Sequence, residues 1–297
     1  MLVPSGLEGW REEPGGAEWL ARLPALAEEL AAAWSLELGS PFEPALVSLA
    51  VPARTADGGE AVLKLNFPEA ESEHEADALA HWDGAGAVRL NARDDERRAL
   101  LVERCVPGDQ LWTLPDEEAT GIAAGVLRQL WRAPPAGHSF RPLAGEAARW
   151  AEELPLRWRR HGRPFERELL ERAVGFLREA GPAQGEAVVL HQDFHGGNVL
   201  RAGPDRWLAI DPKPLVGERE FDTASFLRDR RPELARDPDA PGTVGRRLDL
   251  LAGELGLDRE RMVGWGIAHA LAWGLEEQRI EPAHVECARI LRVFAER

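Results

Sequence analysis

One short segment of the sequence carries most of the side chains that could perform chemistry. Residues 189–200 read VLHQDFHGGNVL, and Asp211 follows at the end of a predicted strand. A hairpin between Asn198 and Asp211 would bring both residues to the same end of adjacent strands. Phosphoryl transfer needs a group that orients and deprotonates a hydroxyl, together with oxygen ligands for Mg²⁺. The spacing therefore predicts Asp193 as a catalytic base and Asn198 and Asp211 as Mg²⁺ ligands.

Two other interpretations of this segment stay open at this point. His191, Asp193 and His195 alternate along the chain, as the ligands of a hydrolytic metal can do on a strand. Against this, Gly196 and Gly197 indicate that the chain turns there, and no second ligand cluster occurs elsewhere in the sequence. The segment could also be a capped structural turn, with the histidine side chains hydrogen-bonded to neighbouring groups.

A lysine upstream strengthens the phosphoryl-transfer interpretation. Lys64 lies among apolar neighbours in a predicted strand, and no other lysine precedes it in a chain that otherwise uses arginine. We expect its ammonium to face phosphate and a carboxylate, although a solvent-facing lysine is the alternative. Glu71, Glu73 and Glu75 are the candidate partners. Glu75 is favoured because Leu79, one helical turn later, would share its buried face.

The elements that must position these residues divide the chain in two. In the first part, apolar spacing predicts a helix over 17–34, and turn signals such as Asp57-Gly58 separate short strand-like runs. The other elements predicted there are strands at 46–51, 61–67, 87–90 and 99–102 and a helix at 71–82.

After Pro107-Gly108 the pattern becomes mainly helical. Helices are predicted at 116–131, 144–160 and 165–180 and again from 221 onward, around a β island with strands at 188–190, 198–202 and 207–210. The sequence thus predicts an α+β fold with two lobes. The small β-rich lobe, over 1–106, would bind nucleotide, and the larger helical lobe, over 107–297, would carry the catalytic and substrate-binding groups.

Composition and charge restrict the partners. The net charge of −15 disfavours nucleic acid and anionic lipid, and no apolar run approaches the ~20 residues that span a bilayer. Residues 1–16 lack a signal-peptide core, so a cytoplasmic location is expected, and no obligate protein partner is evident. Cys105 and Cys287 are expected to be unpaired buried thiols. The acidity would suit a cationic substrate, although it could equally serve solubility alone.

The motifs occur in a fixed order along the chain. They are AVLKL at 61–65, EHEADAL at 73–79, LHQDFHGGNVL at 190–200, IDPKPLVG at 210–217 and Phe221-Asp222. In this order they resemble the aminoglycoside phosphotransferase family, within the protein-kinase-like superfold, and most closely its streptomycin 6-kinase and hydroxyurea phosphotransferase branch. The resemblance implies an Mg²⁺-dependent kinase that passes the γ-phosphate of ATP or GTP to a hydroxyl of a small molecule. The acceptor that it favours is an aminoglycoside such as streptomycin.

The same resemblance assigns further roles. Lys64 would hold the α- and β-phosphates while it pairs with Glu75. Glu103 to Cys105 would form the hinge whose backbone binds the adenine edge. Asp222 would brace the catalytic loop, although the residues alone fit an ordinary helix cap of Asp222 with Ser225 equally well.

Several family features are replaced by others in this sequence. There is no G-x-G-x-x-G, so the phosphate-covering loop is expected at 39–44, where the Ser40 hydroxyl and backbone N–H groups could meet phosphate. Gln192 and Gly196 differ from the residues most common in the family's catalytic loop, and no Ala-Pro-Glu follows Asp211. An activation segment switched by phosphorylation is therefore not expected.

The acceptor site is expected among the later helices. Trp265, His269 and Trp273 recur at helical spacing, which is typical of a core stripe. By the family resemblance, the C-terminal helices wall the acceptor pocket, and His269 and Trp273 are therefore kept as candidate substrate contacts. The carboxylates predicted to attract a cationic acceptor are Glu218, Glu220, Glu276 and Glu277.

Two other functions stay open on the sequence alone. One is a kinase for a metabolite such as an amino alcohol or a sugar, because acceptor pockets vary while the phosphate machinery stays constant. The other is a nucleotide-binding pseudokinase that serves as a scaffold. The presence of Lys64, Asp193, Asn198 and Asp211 argues against a scaffold, since a scaffold is free to lose its base.

Overall fold

The first part of the chain folds around one antiparallel sheet. The computed structural model describes residues 3–276 and 279–295. A 3₁₀ helix at Ser5–Glu12 precedes α1 (Gly16–Trp34). The elements that follow are β1 (Glu37–Leu38), β2 (Ser48–Arg54), β3 (Glu60–Asn66), α2 (Glu75–Trp82), β4 (Leu90–Asp94) and β5 (Ala99–Glu103). The strands lie in the order β1-β2-β3-β5-β4, and each neighbouring pair is antiparallel.

Side-chain alternation in β3 separates the core of this lobe from its functional face. Leu63 and Leu65 are fully buried in one cluster with Leu23 and Leu30 of α1. Because successive side chains of a strand point to opposite faces, Lys64 faces away from α1 and towards the second part of the chain. The alternation that forms the core therefore also positions the lysine.

Several element boundaries differ from the sequence prediction; strand β2, for example, spans Ser48–Arg54 and not 46–51. Helix α2 begins at Glu75 and not at residue 71, because residues 67–74 form bends in which the Ser72 hydroxyl donates to the carbonyls of Phe67 (3.3 Å) and Glu69 (3.4 Å). The strand expected at 87–90 starts only at its last residue. Before it, the Val88 N–H donates to the Ala209 carbonyl at 3.0 Å, so this stretch joins the two parts of the chain.

The second part is mainly helical. Its elements are α3 (Asp116–Leu130), β6 (Arg141–Pro142), α4 (Leu143–Arg160), α5 (Arg167–Ala180), β7 (Val188–Leu190), β8 (Val199–Arg201), β9 (Trp207–Ala209), β10 (Leu215–Gly217), α6 (Arg219–Asp222), α7 (Ala224–Leu227), α8 (Arg231–Leu234), α9 (Ala240–Leu255), α10 (Arg259–Gly274) and α11 (Pro282–Ala295). Helix α10 packs against α5, α7 and α11. The predicted α+β architecture, with a small sheet-based lobe and a larger helical one, is confirmed.

Short strands hold the functional segments at the base of the helical lobe. Strands β8 and β9 form the expected hairpin, with Val199 opposite Ala209. Strand β10 lies between β7, to which it is antiparallel, and β6, to which it is parallel. Neither β6 nor β10 was predicted, because two or three residues are too few to show an alternating pattern.

The described residues, 3–276 and 279–295, include no helix that is long and apolar enough to cross a membrane. Cys105 and Cys287 are buried free thiols, as expected. Burial raises the pKa of Cys105 to about 12 and that of Cys287 to about 11, so both stay protonated.

Candidate active site

The β8–β9 hairpin brings Asn198 and Asp211 together. The Ile210 N–H donates to the Asn198 carbonyl at 2.9 Å, which closes the base of the hairpin and leaves Asp211 beside it. The Asn198 side-chain amide donates to the Asp193 carbonyl at 3.0 Å. Asn198 therefore ties the catalytic-loop backbone to the hairpin, and its side-chain oxygen remains free to bind a ligand.

A buried carboxylate braces the loop that carries Asp193. Asp222 is fully buried and accepts the N–H groups of His191 (3.0 and 3.1 Å) and Gln192 (2.7 Å). It also accepts the Trp131 indole N–H at 3.1 Å. The Ser225 hydroxyl donates to the Gln192 carbonyl at 3.1 Å, and Asp222 makes no helix-cap bond. The loop-bracing role implied by the resemblance is confirmed, and the helix-cap interpretation is wrong.

Close packing around residue 196 leaves no room for a side chain, which explains the glycine there. Its N–H donates to Asp229 at 2.7 Å. A Cβ at this position would lie 2.4 Å from the Asp229 carboxylate and 2.9 Å from the Trp112 backbone nitrogen. A side chain there would push the loop away from both neighbours, so Gly196 contributes to a fixed loop.

Positive charge near Asp193 keeps its carboxyl ionised. Burial alone would raise the pKa of Asp193, but the charges of His195, Lys213 and Arg228 lower it below its ordinary value. His195 Nε2 lies 3.7 Å from the Asp193 carboxylate, while His195 Nδ1 accepts the Gly197 N–H at 3.1 Å. An ionised carboxylate in a fixed loop can accept a hydrogen bond from a hydroxyl and then its proton.

The hydrolytic-metal interpretation of this segment is wrong for the described part of the chain. In residues 3–276 and 279–295, no group of three His, Cys, Asp or Glu side chains could hold a metal. His191 is buried, its Nε2 bonds the Ile210 carbonyl at 2.9 Å, and burial lowers its pKa to about 4. It is a structural histidine that links the two sides of the loop.

Lys64 joins the small lobe to the hairpin. Its ammonium lies 2.6 Å from Glu75 and 2.8 Å from Asp211, and the Asn66 amide donates to the second Glu75 oxygen at 2.7 Å. Burial would lower the pKa of Lys64, but the two carboxylates raise it above its ordinary value. The expected Lys64–Glu75 pair is present. Of the other candidates, Glu73 approaches Arg98 (3.8 Å) and Glu71 approaches Lys213 (2.9 Å).

The donor set fits Mg²⁺ bound together with phosphates. Mg²⁺ is usually held by one or two protein oxygen ligands, substrate phosphates and water, and it does not need an all-protein cage. Asn198 offers its free side-chain oxygen. The Asp211 side chain is 43% exposed beside it, with a backbone φ of 58° that turns the chain there.

The residues predicted to bind the nucleotide lie at the end of β5 and in the loop between β1 and β2. Glu103 ends β5, and its carboxylate accepts the Arg89 N–H at 3.2 Å and pairs with Arg206. Cys105 follows and is buried. Ser40 is exposed in the loop between β1 and β2. Their roles towards adenine and phosphate stay predictions.

The prediction of Glu218 as a substrate contact is wrong. Glu218 is 1% exposed, and its carboxylate accepts bonds from Arg261 (2.6 and 3.0 Å), the Trp265 indole and the Gly185 N–H (3.1 Å). Because all these partners are inside the helical lobe, the carboxylate holds α10 in place and does not face a ligand. Glu220, next to it, accepts the Asp258 N–H at the start of α10 (3.3 Å).

The residues predicted on the later helices are not all brought to the site. His269 is fully buried against Trp150, Phe221 and Trp273, so it belongs to the core and is wrong as a substrate contact. Trp273 is half-buried, and the Lys213 ammonium lies 4.7 Å from its ring centroid. Glu276 is exposed and pairs with Arg279 at 2.8 Å. Glu277 lies outside the described residues.

Lys213 is a residue of the site to which sequence reasoning gave no role. Its backbone N–H donates to the His191 carbonyl at 3.0 Å, and its ammonium pairs with Glu71 at 2.9 Å. Burial would lower the pKa of Lys213, but Glu71 and Asp193 raise it above its ordinary value. The sequence does contain a feature that could have indicated a role for Lys213. It lies two residues after Asp211, in a chain that has almost no lysine.

Comparison with known proteins decides the family. The family model described as "Aminoglycoside/hydroxyurea antibiotic resistance kinase" matches residues 34–279. The chain belongs to this family. A streptomycin 6-kinase of Streptomyces glaucescens is 36% identical over 98% of this chain and 95% of its own length. A hydroxyurea phosphotransferase of Kitasatospora aureofaciens is also 36% identical, over 89% of this chain and 77% of its own length.

Solved structures show the same fold as this member of the kinase family. The choline kinase LicA from Streptococcus pneumoniae superposes with a TM-score of 0.63 over 93% of this chain and 100% of its own. Its sequence identity is 13%, so the likeness concerns the fold alone. The fold is protein-kinase-like.

Proposed function

We propose that this protein transfers the γ-phosphate of ATP or GTP to a hydroxyl group of an aminoglycoside, with streptomycin as the leading acceptor. The observation that carries the proposal is the convergence of four groups. Lys64 pairs with Asp211 across the two lobes, and Asn198 bonds the Asp193 carbonyl and closes the hairpin beside Asp211. These are the groups that phosphoryl transfer requires, and two relatives that match at 36% identity are named for phosphotransferase activities.

Each residue has one task in the proposed reaction. Asp193 accepts a hydrogen bond from the acceptor hydroxyl and takes its proton as the oxygen bonds to phosphorus and the bond from phosphorus to the nucleotide oxygen breaks. Lys64, fixed by Glu75, holds the α- and β-phosphates. Asn198 and Asp211 would bind Mg²⁺, which would neutralise phosphate charge and orient the nucleotide.

The hinge and the loop before β2 complete the nucleotide site in this proposal. The backbone of Glu103 to Cys105 would bind the adenine edge, since it follows the last strand paired with β3. Ser40 would meet phosphate from the exposed loop between β1 and β2. Of the residues predicted to contact the acceptor, Trp273 lies near the proposed catalytic residues, because its ring contacts the Lys213 ammonium.

A metabolite kinase remains the second candidate, and one observation favours it. Glu218, one of the carboxylates predicted to draw in a cationic acceptor, is buried and bonded inside the helical lobe. Glu218 is therefore a part of the net charge of −15 that cannot attract a cationic acceptor.

Release of ADP over a panel of acceptors tests the proposal. The panel contains streptomycin, other aminoglycosides, hydroxyurea, amino alcohols and sugars, and mass spectrometry of the product locates the added phosphoryl group. Asp193→Asn should lower kcat for the best acceptor by at least ~10², while nucleotide affinity stays within a few-fold. Asp205→Asn, on the exposed turn of the β8–β9 hairpin, is the matched control. Fast turnover of a sugar and none of streptomycin would make the protein a metabolite kinase.

A further inference from the structure

Two ion pairs of opposite polarity connect the lobes at the site. Lys64 of the small lobe pairs with Asp211 of the helical lobe at 2.8 Å. Glu71 of the small lobe pairs with Lys213 of the helical lobe at 2.9 Å. Lysine occurs at only these two positions in the whole sequence, whereas arginine serves elsewhere. An ammonium is a compact charge on a flexible stem, and it can exchange one anionic partner for another more readily than a planar guanidinium can.

The Lys213 ammonium occupies a position suited to a cation. On one side is the Glu71 carboxylate, and on another is the face of Trp273, 4.7 Å from the nitrogen to the ring centroid. A carboxylate and an indole face together form a favourable environment for ammonium or guanidinium groups.

The backbone of Lys213 is tied to the catalytic loop, and its side chain is partly exposed. Its N–H is bonded to the His191 carbonyl of the catalytic loop, so the stem starts beside Asp193. The side chain is 19% exposed. In the proposed reaction the γ-phosphate must come to the hydroxyl that Asp193 holds.

We propose that nucleotide binding transfers Lys213 from Glu71 to the γ-phosphate, and that Glu71 and Trp273 then form the binding site for a cationic group of the acceptor. The proposal rests on the kinase function above. A phosphate carries more negative charge than a carboxylate, so the ammonium gains by the exchange. The vacated carboxylate keeps its chemistry, and the Trp273 ring, which the Arg228 guanidinium also approaches at 5.5 Å, takes a new cation in place of the Lys213 ammonium.

This exchange makes the two substrates bind cooperatively. Without nucleotide, a cationic acceptor must compete with Lys213 for Glu71; with nucleotide, the competitor is gone. The affinity of each substrate should therefore rise when the other is bound, by one and the same factor. A static Glu71–Lys213 pair would give no such coupling.

Calorimetric titration of streptomycin tests the exchange, with and without a non-hydrolysable ATP analogue and Mg²⁺. The wild-type protein should bind streptomycin about tenfold or more tightly when the analogue is present. Lys213→Met should bind streptomycin more tightly than the wild type does without nucleotide, and the analogue should add less than about twofold, because Glu71 is already free. Glu71→Gln should bind weakly in both states. Lys213→Arg keeps the positive charge on a group that exchanges partners less readily, so it should show weaker coupling than the wild type.

Glu73→Gln is the matched control, because Glu73 lies in the same segment and faces Arg98 at 3.8 Å. It should leave the coupling factor unchanged. Undiminished coupling in Lys213→Met, or no gain in its affinity without nucleotide, would overturn the exchange. So would the absence of streptomycin binding to the wild type in both states. The kinase function is decided separately, by release of ADP over the acceptor panel.

Discussion

The Asp222 carboxylate accepts the N–H of Gln192 at 2.7 Å, across a separation of 30 residues. With the His191 N–H and the Trp131 indole, Asp222 thereby satisfies three donors inside the helical lobe. The chain from Gln192 to Asp222 contains the hairpin and both proposed Mg²⁺ ligands. One buried side chain therefore fixes the start of the loop that presents Asp193.

Replacing Asp222 should damage both stability and catalysis. Asp222→Ala leaves three buried donors without a partner, and each costs about 1–3 kcal/mol. We expect a loss of about 3 kcal/mol or more in the free energy of unfolding, together with a fall in kcat. Urea denaturation and steady-state rates measure the two effects. Asp249→Ala removes a surface carboxylate that pairs with Arg259 at 2.9 Å, and it should change neither. A stable Asp222→Ala protein with normal turnover would refute the bracing role.

Asp211 should separate nucleotide affinity from metal dependence. Asp211 pairs with Lys64 at 2.8 Å, and in the proposed site it would hold Mg²⁺ when nucleotide is bound. Asp211→Ala should therefore remove the increase in nucleotide affinity that Mg²⁺ produces, while weak metal-free binding to the Lys64 ammonium persists. Nucleotide titrations with Mg²⁺ and with a chelator measure this difference. His195→Ala, in the catalytic loop before the hairpin, should keep the Mg²⁺ effect; if it loses the effect to the same extent, the ligand assignment is wrong.

Glu218 should act on stability and not on acceptor binding. Its carboxylate pairs with Arg261 inside the lobe, and breaking a buried ion pair costs about 3–5 kcal/mol. Glu218→Gln should therefore lower the free energy of unfolding by about 3 kcal/mol, while KM for the acceptor stays within twofold. Glu220→Gln, at the neighbouring half-buried position, should change stability little. A large rise in KM with unchanged stability would restore Glu218 as an acceptor contact.

The sequence predicts those parts of the site in which residue type and spacing are tied to backbone geometry. The Lys64–Glu75 pair is predicted because β3 alternates and the buried face of α2 repeats every turn, and the proximity of Asn198 and Asp211 because both flank one predicted hairpin. Glu218 was misplaced because acidity alone does not tell whether a carboxylate faces solvent or Arg261. The Glu71–Lys213 pair was missed because it depends on how residues 67–74 bend across to the other lobe, which no local pattern records.

Buried histidines should make the protein labile in mild acid. Burial lowers the pKa of His191 to about 4, that of His284 to about 2 and that of His269 well below 6.5. The unfolded chain binds these protons below about pH 6.5 and the native protein does not, so stability falls as the pH drops. Asp222, Glu75 and Glu69 act in the opposite direction, since burial raises their pKa values, that of Asp222 to about 6.

His269 isolates this effect because neither of its ring nitrogens has a hydrogen-bond partner among residues 3–276 and 279–295. His269→Leu should change the free energy of unfolding little at pH 7.5. At pH 5.0 it should gain about 2 kcal/mol over the wild type, because the unfolded wild-type chain takes up a proton that the variant cannot bind. Urea denaturation at both pH values measures the difference. His138→Leu, at an exposed position before β6, should leave the pH dependence as it is in the wild type. Equal pH dependence in the wild type and in His269→Leu would show that His269 takes up its proton in the native protein, and the core around Trp150 and Phe221 would then have to admit a charge.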